Sequence, residues 1–87
     1  MVKVSFKKGF QKSVSVLSGK QKEKLSELVV LLSENPFHSK LHSKPLSGNL
    51  MGLFSFRIAR DWRVMFKFIS PREILVIKVR HRKDIYK

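Results

Sequence analysis

The sequence predicts an α+β fold of order β-α-α-β-β-β, in which a four-stranded, mainly antiparallel sheet carries a helical hairpin on one face. Three observations predict it. A period of two opens the chain and returns over residues 53–79. A helical period separates those two stretches. Turn residues punctuate the boundaries between them.

Val2, Val4 and Phe6 alternate with Lys3 and Ser5, which gives a short first strand. Phe10, Val14 and Leu17 then fall at i, i+4 and i+7, one stripe of a helix, with Gly9 weakening its first turn. Ser18-Gly-Lys-Gln21 has the form of a capping box and starts a second helix. Its apolar stripe is Leu25, Leu28, Val29 and Leu32, and Pro36 ends it. The short link at Ser18–Gly19 makes the helices an antiparallel pair.

Residues 37–52 hold no sustained period and contain Pro45, Gly48, Asn49 and Gly52, so they read as a loop. Three strands follow. Residues 53–58 place Phe54, Phe56 and Ile58 on one face and Ser55 and Arg57 on the other. Residues 62–69 place Trp62, Val64, Phe66 and Phe68 on one face, with Arg63, Met65 and Lys67 opposite. Residues 74–79 are nearly all apolar, as in a central strand. The aromatic faces are expected to meet the helix stripes, with Trp62 a core residue. The other face is expected to stay uncovered and to present Arg57, Arg63 and Lys67 to solvent.

The chain of 87 residues is sized for one domain over its whole length. Nineteen Lys and Arg against six Asp and Glu give a net charge of +13. A field of that sign attracts polyanions and raises their encounter rate, so nucleic acid or an acidic protein is the expected partner. No cysteine is present, which excludes a disulfide framework and a thiolate zinc site. No apolar run is long enough for a signal peptide or a membrane span, so a cytoplasmic protein is expected.

Only Asp61 and Asp84 lie near the basic strands apart from the 70–73 turn, too few for a two-metal nuclease. His38 and His42 fall in the loop-like stretch and read as solvated rather than as metal ligands, and neither metal nor cofactor is expected. RNA can be cleaved without a metal. Its 2′-hydroxyl attacks the adjacent phosphorus, a base removes the hydroxyl proton, and an acid protonates the departing 5′-oxygen. Arginine forks stabilise the anionic phosphorane between these events. The C-terminal run Arg80-His-Arg-Lys-Asp-Ile-Tyr86 holds the residue types required: Arg82 for charge, His81 for proton transfer near neutral pH, and Tyr86 as a phenol and stacking ring.

Three stretches carry a family resemblance. Leu46-Ser-Gly-Asn-Leu-Met-Gly-Leu-Phe-Ser-Phe-Arg57-Ile58 resembles the "L-x-G … G-x-x-S-x-R" segment of RelE/ParE-type toxins. Asp61-Trp-Arg-Val-Met-Phe66 resembles their "D-Y/W-R-V-I/L-Y/F" strand, and His81-Arg-Lys-Asp-Ile-Tyr86 their terminal "H-R-x-x-V/I-Y". Together with the element order, the resemblance spans nearly the whole chain.

It implies the toxin of a type II toxin–antitoxin pair. The RelE-like branch cleaves messenger RNA in the ribosomal A site without metal, and this is the expected activity. The ParE-like branch inhibits DNA gyrase, and a basic RNA-binding module without catalysis is a further alternative. By position, Arg63 matches the arginine that contacts the scissile phosphate region, Arg57 a basic strand residue, Arg82 the basic residue of the last strand, and Tyr86 the C-terminal tyrosine. His81 completes the expected catalytic set. Ser55 stands where some RelE-like enzymes carry a lysine. Arg60, Lys67, Lys78, Arg80 and Lys83 are expected to bind RNA around these residues. A cognate acidic antitoxin is the expected protein partner.

Overall fold

The computed structural model describes residues 1–86. The chain forms β1 (Lys3–Phe6), α1 (Phe10–Val14), α2 (Gly19–Glu34), β2 (Lys44–Pro45), β3 (Phe54–Arg57), β4 (Trp62–Ser70) and β5 (Glu73–His81), with short 3₁₀ turns at Ser39–Leu41, Gly48–Leu50 and Arg82–Asp84. The sheet order is β1-β5-β4-β3-β2. β1 runs parallel to β5, and the other pairs are antiparallel.

The α+β architecture follows the sequence pattern, but the sheet has five strands instead of four. The additional strand is β2, inside the stretch that reads as a loop. It pairs Lys44 with Ser55 and Pro45 with Phe54. Two residues are too few to show a period, and proline at an edge sacrifices no ladder donor. β5 lies between β1 and β4, which accounts for its nearly continuous apolar run.

The capping box forms as expected. Gln21 N–H donates to Ser18 Oγ at 3.2 Å, and Ser18 N–H donates to Gln21 Oε1 at 3.0 Å. Such a cap stabilises a helix by about 1 kcal/mol. α1 is shorter than its stripe suggests: it covers one turn and a half, and Leu17 is buried beyond its end. Gly9 precedes it at φ 93°, a left-handed conformation that favours glycine. Ser13 ties α1 to the sheet, because its Oγ accepts from Val79 N–H at 3.0 Å where β5 has run past its partner β1.

The main core lies between the helices and the sheet. Phe10, Leu17, Leu25, Leu28 and Leu32 pack there against Phe56, Val64, Phe66, Ile74, Val76 and Val79, with Trp62 half-buried at its margin. The other sheet face is not uncovered. A second apolar cluster of Leu46, Met65 and Ile85 lies on it, flanked by Leu50, Leu53 and Ile77. The segment after β2 and the C-terminal turn thus cover part of the face expected to be bare. Hydrophobic burial drives this, since Met65 sits amid that face and is 3% exposed. No helix is long and apolar enough to cross a membrane.

Candidate anion-binding cleft

The site residues are set by strand register. Arg57 of β3 faces Arg63 of β4, and Arg63 faces Arg80 of β5. Three arginines therefore lie side by side across three strands. In the adjacent row, Lys44 faces Ser55, Ser55 faces Met65, and Met65 faces Lys78. Side chains alternate along a strand, so both rows project to the face away from the helices.

A bulge in β5 completes this arrangement. Met65 pairs with Lys78, but Phe66 pairs with Val76, so Ile77 is an extra residue. An extra residue reverses the inside–outside alternation beyond it. Lys78 and Arg80 consequently join the cationic face, whereas Val79 and His81 turn to the helix side. His81 faces Trp62 in the register, and their rings meet edge-on at 5.2 Å. His81 Nδ1 accepts from Lys83 N–H at 3.2 Å, which places the proton of the neutral imidazole on Nε2. His81 is thus a capping residue beside Trp62, on the opposite side of the sheet from Arg57 and Arg63.

A cleft of about 400 Å³ opens on the cationic face, lined by Lys44, Leu46, Arg63, Arg82, Lys83, Ile85 and Tyr86. Arg63 is half-buried. Its Nη1 donates to the carbonyls of Ala59, Arg60 and Trp62 at 2.8, 3.0 and 3.2 Å. These bonds fix the guanidinium on the β3–β4 turn, and among the described residues its Nε and Nη2 make no hydrogen bond. Burial lowers the Arg63 pKa, the charges of Arg57 and Arg82 lower it further, and Asp61 opposes them. Arg82 Nε lies 3.3 Å from Asp61 Oδ1, a solvent-accessible pair that leaves its terminal nitrogens unengaged by Asp61. Arg82 N–H also donates to the Asp61 carbonyl at 2.8 Å, which anchors the C-terminal turn to the start of β4.

Tyr86 is held from the segment after β2. Ser47 N–H donates to the phenol oxygen at 3.1 Å, and Ser47 Oγ lies 3.4 Å from it. The Ser47 hydroxyl and then the Ser47 backbone N–H hold the phenol below its ordinary value of 10.0; desolvation opposes them, and the charge of Lys44 adds the smallest lowering effect. Donors aimed at the phenol oxygen favour the phenolate.

Arg63, Arg82, Lys83 and Tyr86 therefore share one cleft, and Arg57 adjoins it through Arg63. Arg80 faces the same way, but its Nε donates to the Asp84 carbonyl at 3.0 Å and braces the C-terminal turn. Lys78 lies in the neighbouring row, Lys67 is exposed two residues further along β4, and Arg60 is exposed on the β3–β4 turn. Lys44 lines the cleft and Ser47 holds its tyrosine, but neither carries a signal in a stretch without periodicity. The β2 register brings Lys44 in.

The model of the ParE toxin of type II toxin–antitoxin systems matches residues 4–86, and the chain belongs to that family, within the RelE/ParE superfamily. Solved structures share its fold. The YoeB/ParE toxin from Agrobacterium tumefaciens superposes with a TM-score of 0.77 at 21% identity, over 93% of this chain and 99% of that one. YafQ from E. coli superposes with a TM-score of 0.78 at 18% identity, over 100% of both chains. The archaeal RelE–RelB complex from Pyrococcus horikoshii gives 0.77 at 22% identity, over 95% of this chain and 97% of that one. No curated protein sequence matches the chain.

Proposed function

We propose that this toxin acts on messenger RNA in the ribosomal A site, as a metal-independent endoribonuclease whose working surface is the cleft between Arg57, Arg63, Arg82 and Tyr86. The observation that carries the reading is the arginine row. Like charges directly opposite each other on adjacent strands disfavour the fold. Such an arrangement is offset by a bound polyanion, and guanidinium forks match phosphate oxygens. Arg63 is preorganised by three carbonyls and keeps N–H groups for a phosphorane. Tyr86 supplies a phenol with a depressed pKa, suited to take the 2′-hydroxyl proton. Its ring, exposed beside Leu46 and Ile85, offers a stacking surface for a base. His81 lies on the helix side where β4 begins, so its role in proton transfer requires a substrate that wraps over the end of the strands at Trp62.

A second reading is a ParE-like inhibitor of DNA gyrase. The family model that matches favours it, and so does Ser55, which adds no cation to the cleft. In either case the partner in the cell is a cognate acidic antitoxin. Solved relatives from Mycobacterium tuberculosis and Methanococcus jannaschii are toxin–antitoxin complexes. The groove lined by Phe6, Phe10, Leu25 and Val29 gives such a partner an apolar surface beneath a positive field.

The test uses programmed ribosomes with EDTA, alongside a gyrase supercoiling assay. A-site cleavage is expected from the native chain. Tyr86→Phe, which keeps the ring, is expected to slow it about 10²–10⁴-fold, the usual contribution of positioned proton transfer. Intact mRNA together with inhibited supercoiling would replace this reading with the second.

A further inference from the structure

The cleft contains a cation that no motif marks. Lys44 sits on a two-residue edge strand, yet it lines the same cleft as Arg63, Arg82 and Tyr86. Its register partner is Ser55, which is 1% exposed, has no hydrogen-bond partner for its hydroxyl among the described residues, and does not line the cleft. The β3 position in this row thus contributes no charge, and the neighbouring strand contributes one instead. Lys44 is exposed, and no hydrogen bond or ion pair holds its side chain among the described residues. Among the described residues it is also a cation whose charge lowers the pKa of the Tyr86 phenol. Arg63 and Arg82 are anchored forks, whereas an ammonium on a flexible stem can follow a phosphate that moves during reaction.

We propose that Lys44 is a phosphate-contacting residue of this cleft and the cation paired with Tyr86, delivered by the β2 edge strand to the row in which Ser55 contributes no charge. The proposal rests on the reading of the cleft as an RNA site. Its substrate is a single-stranded RNA phosphate adjacent to the one facing the arginine row.

The comparison is between Lys44→Gln, Lys44→Arg and Lys24→Gln. Lys24 is an exposed lysine of α2, on the opposite side of the sheet, so its substitution removes the same charge from elsewhere. Three quantities are measured: A-site cleavage rate, salt dependence of binding to a short single-stranded RNA, and near-ultraviolet titration of the phenol. The chain has a single tyrosine, so that titration reports Tyr86 alone.

Lys44→Gln is expected to slow cleavage about 10-fold, the effect of losing one charge-assisted contact to phosphate from a side chain that is not held in place. It should also reduce the log–log salt slope by about 0.7, the value for one phosphate contact on a single strand. The phenol pKa should rise in Lys44→Gln and remain low in Lys44→Arg. Lys24→Gln should leave cleavage and titration unchanged. If Lys44→Gln and Lys24→Gln behave alike in all three measurements, the proposal is overturned. If the native chain cleaves no RNA, the endoribonuclease reading fails by itself. Lys44 is then judged on slope and titration, and an unchanged slope in Lys44→Gln overturns it.

Discussion

Replacing Arg57 by Gln should make this protein more stable and less active. Arg57 is exposed and makes no hydrogen bond or ion pair among the described residues. Its register partner across the sheet is Arg63, whose guanidinium is fixed in place by three carbonyls and cannot swing away. Arg80 lies beyond Arg63 in the same row. Glutamine keeps most of the aliphatic stem and removes the charge. Relief of one directly opposed like-charge pair is worth about 0.2–1 kcal/mol. In a domain of this size each 1 kcal/mol moves Tm by roughly 4–8 °C, so a rise of about 1–8 °C is expected at low ionic strength. The gain should shrink as salt is added, because the repulsion acts between solvent-accessible groups and the Debye length falls to about 8 Å at physiological salt. Thermal unfolding of both proteins at low and high salt measures this, and RNA cleavage or binding measured in parallel should weaken. A Tm that falls in Arg57→Gln by the same amount at both salt concentrations would refute the reasoning. It would mean that the arginine row is held together by packing and stores no electrostatic strain.

Two further outcomes follow from the cleft. The single tyrosine should titrate below 10.0 in the folded protein and return to that value in denaturant. Because the folded pKa is the lower one, the stabilisation linked to this phenol is present above the unfolded value and disappears as pH falls through the folded one. A folded titration at or above the denatured one would show that Ser47 does not hold the phenol oxygen in solution. Asp61→Asn should leave stability nearly unchanged, since an exposed ion pair contributes about 0–1 kcal/mol. It removes the negative charge beside Arg82 and should tighten RNA binding at low salt. An unaltered affinity would mean that Arg82 does not meet the nucleic acid.

The antiparallel strands and α2 are legible in the sequence because each has a period long enough to count. The β4 stretch alternates over residues 62–69, and α2 carries four apolar residues at helical spacing between a capping box and a proline. Tyr86 and the arginines are legible through their motifs, with Arg63 and Arg82 falling in one cleft. β2 is not legible, since Lys44–Pro45 is shorter than any period and is a strand only because Phe54–Ser55 lies beside it. The second apolar cluster was hidden for a related reason. Leu46 and Ile85 are 39 residues apart in the chain, and they meet only when the sheet has formed under both.

The position of His81 shows most plainly where the division falls. The sequence by itself determined which residues carry charge, which strands must be buried, and that an arginine-rich segment ends in tyrosine, since these depend on composition and local spacing. It could not determine which side of the sheet each C-terminal residue faces, because that depends on parity counted from the strand's beginning. One extra residue at Ile77 reverses that parity. The bulge turns Arg80 toward Arg63 and His81 toward Trp62, and only the pairing of β5 with β4 decided it.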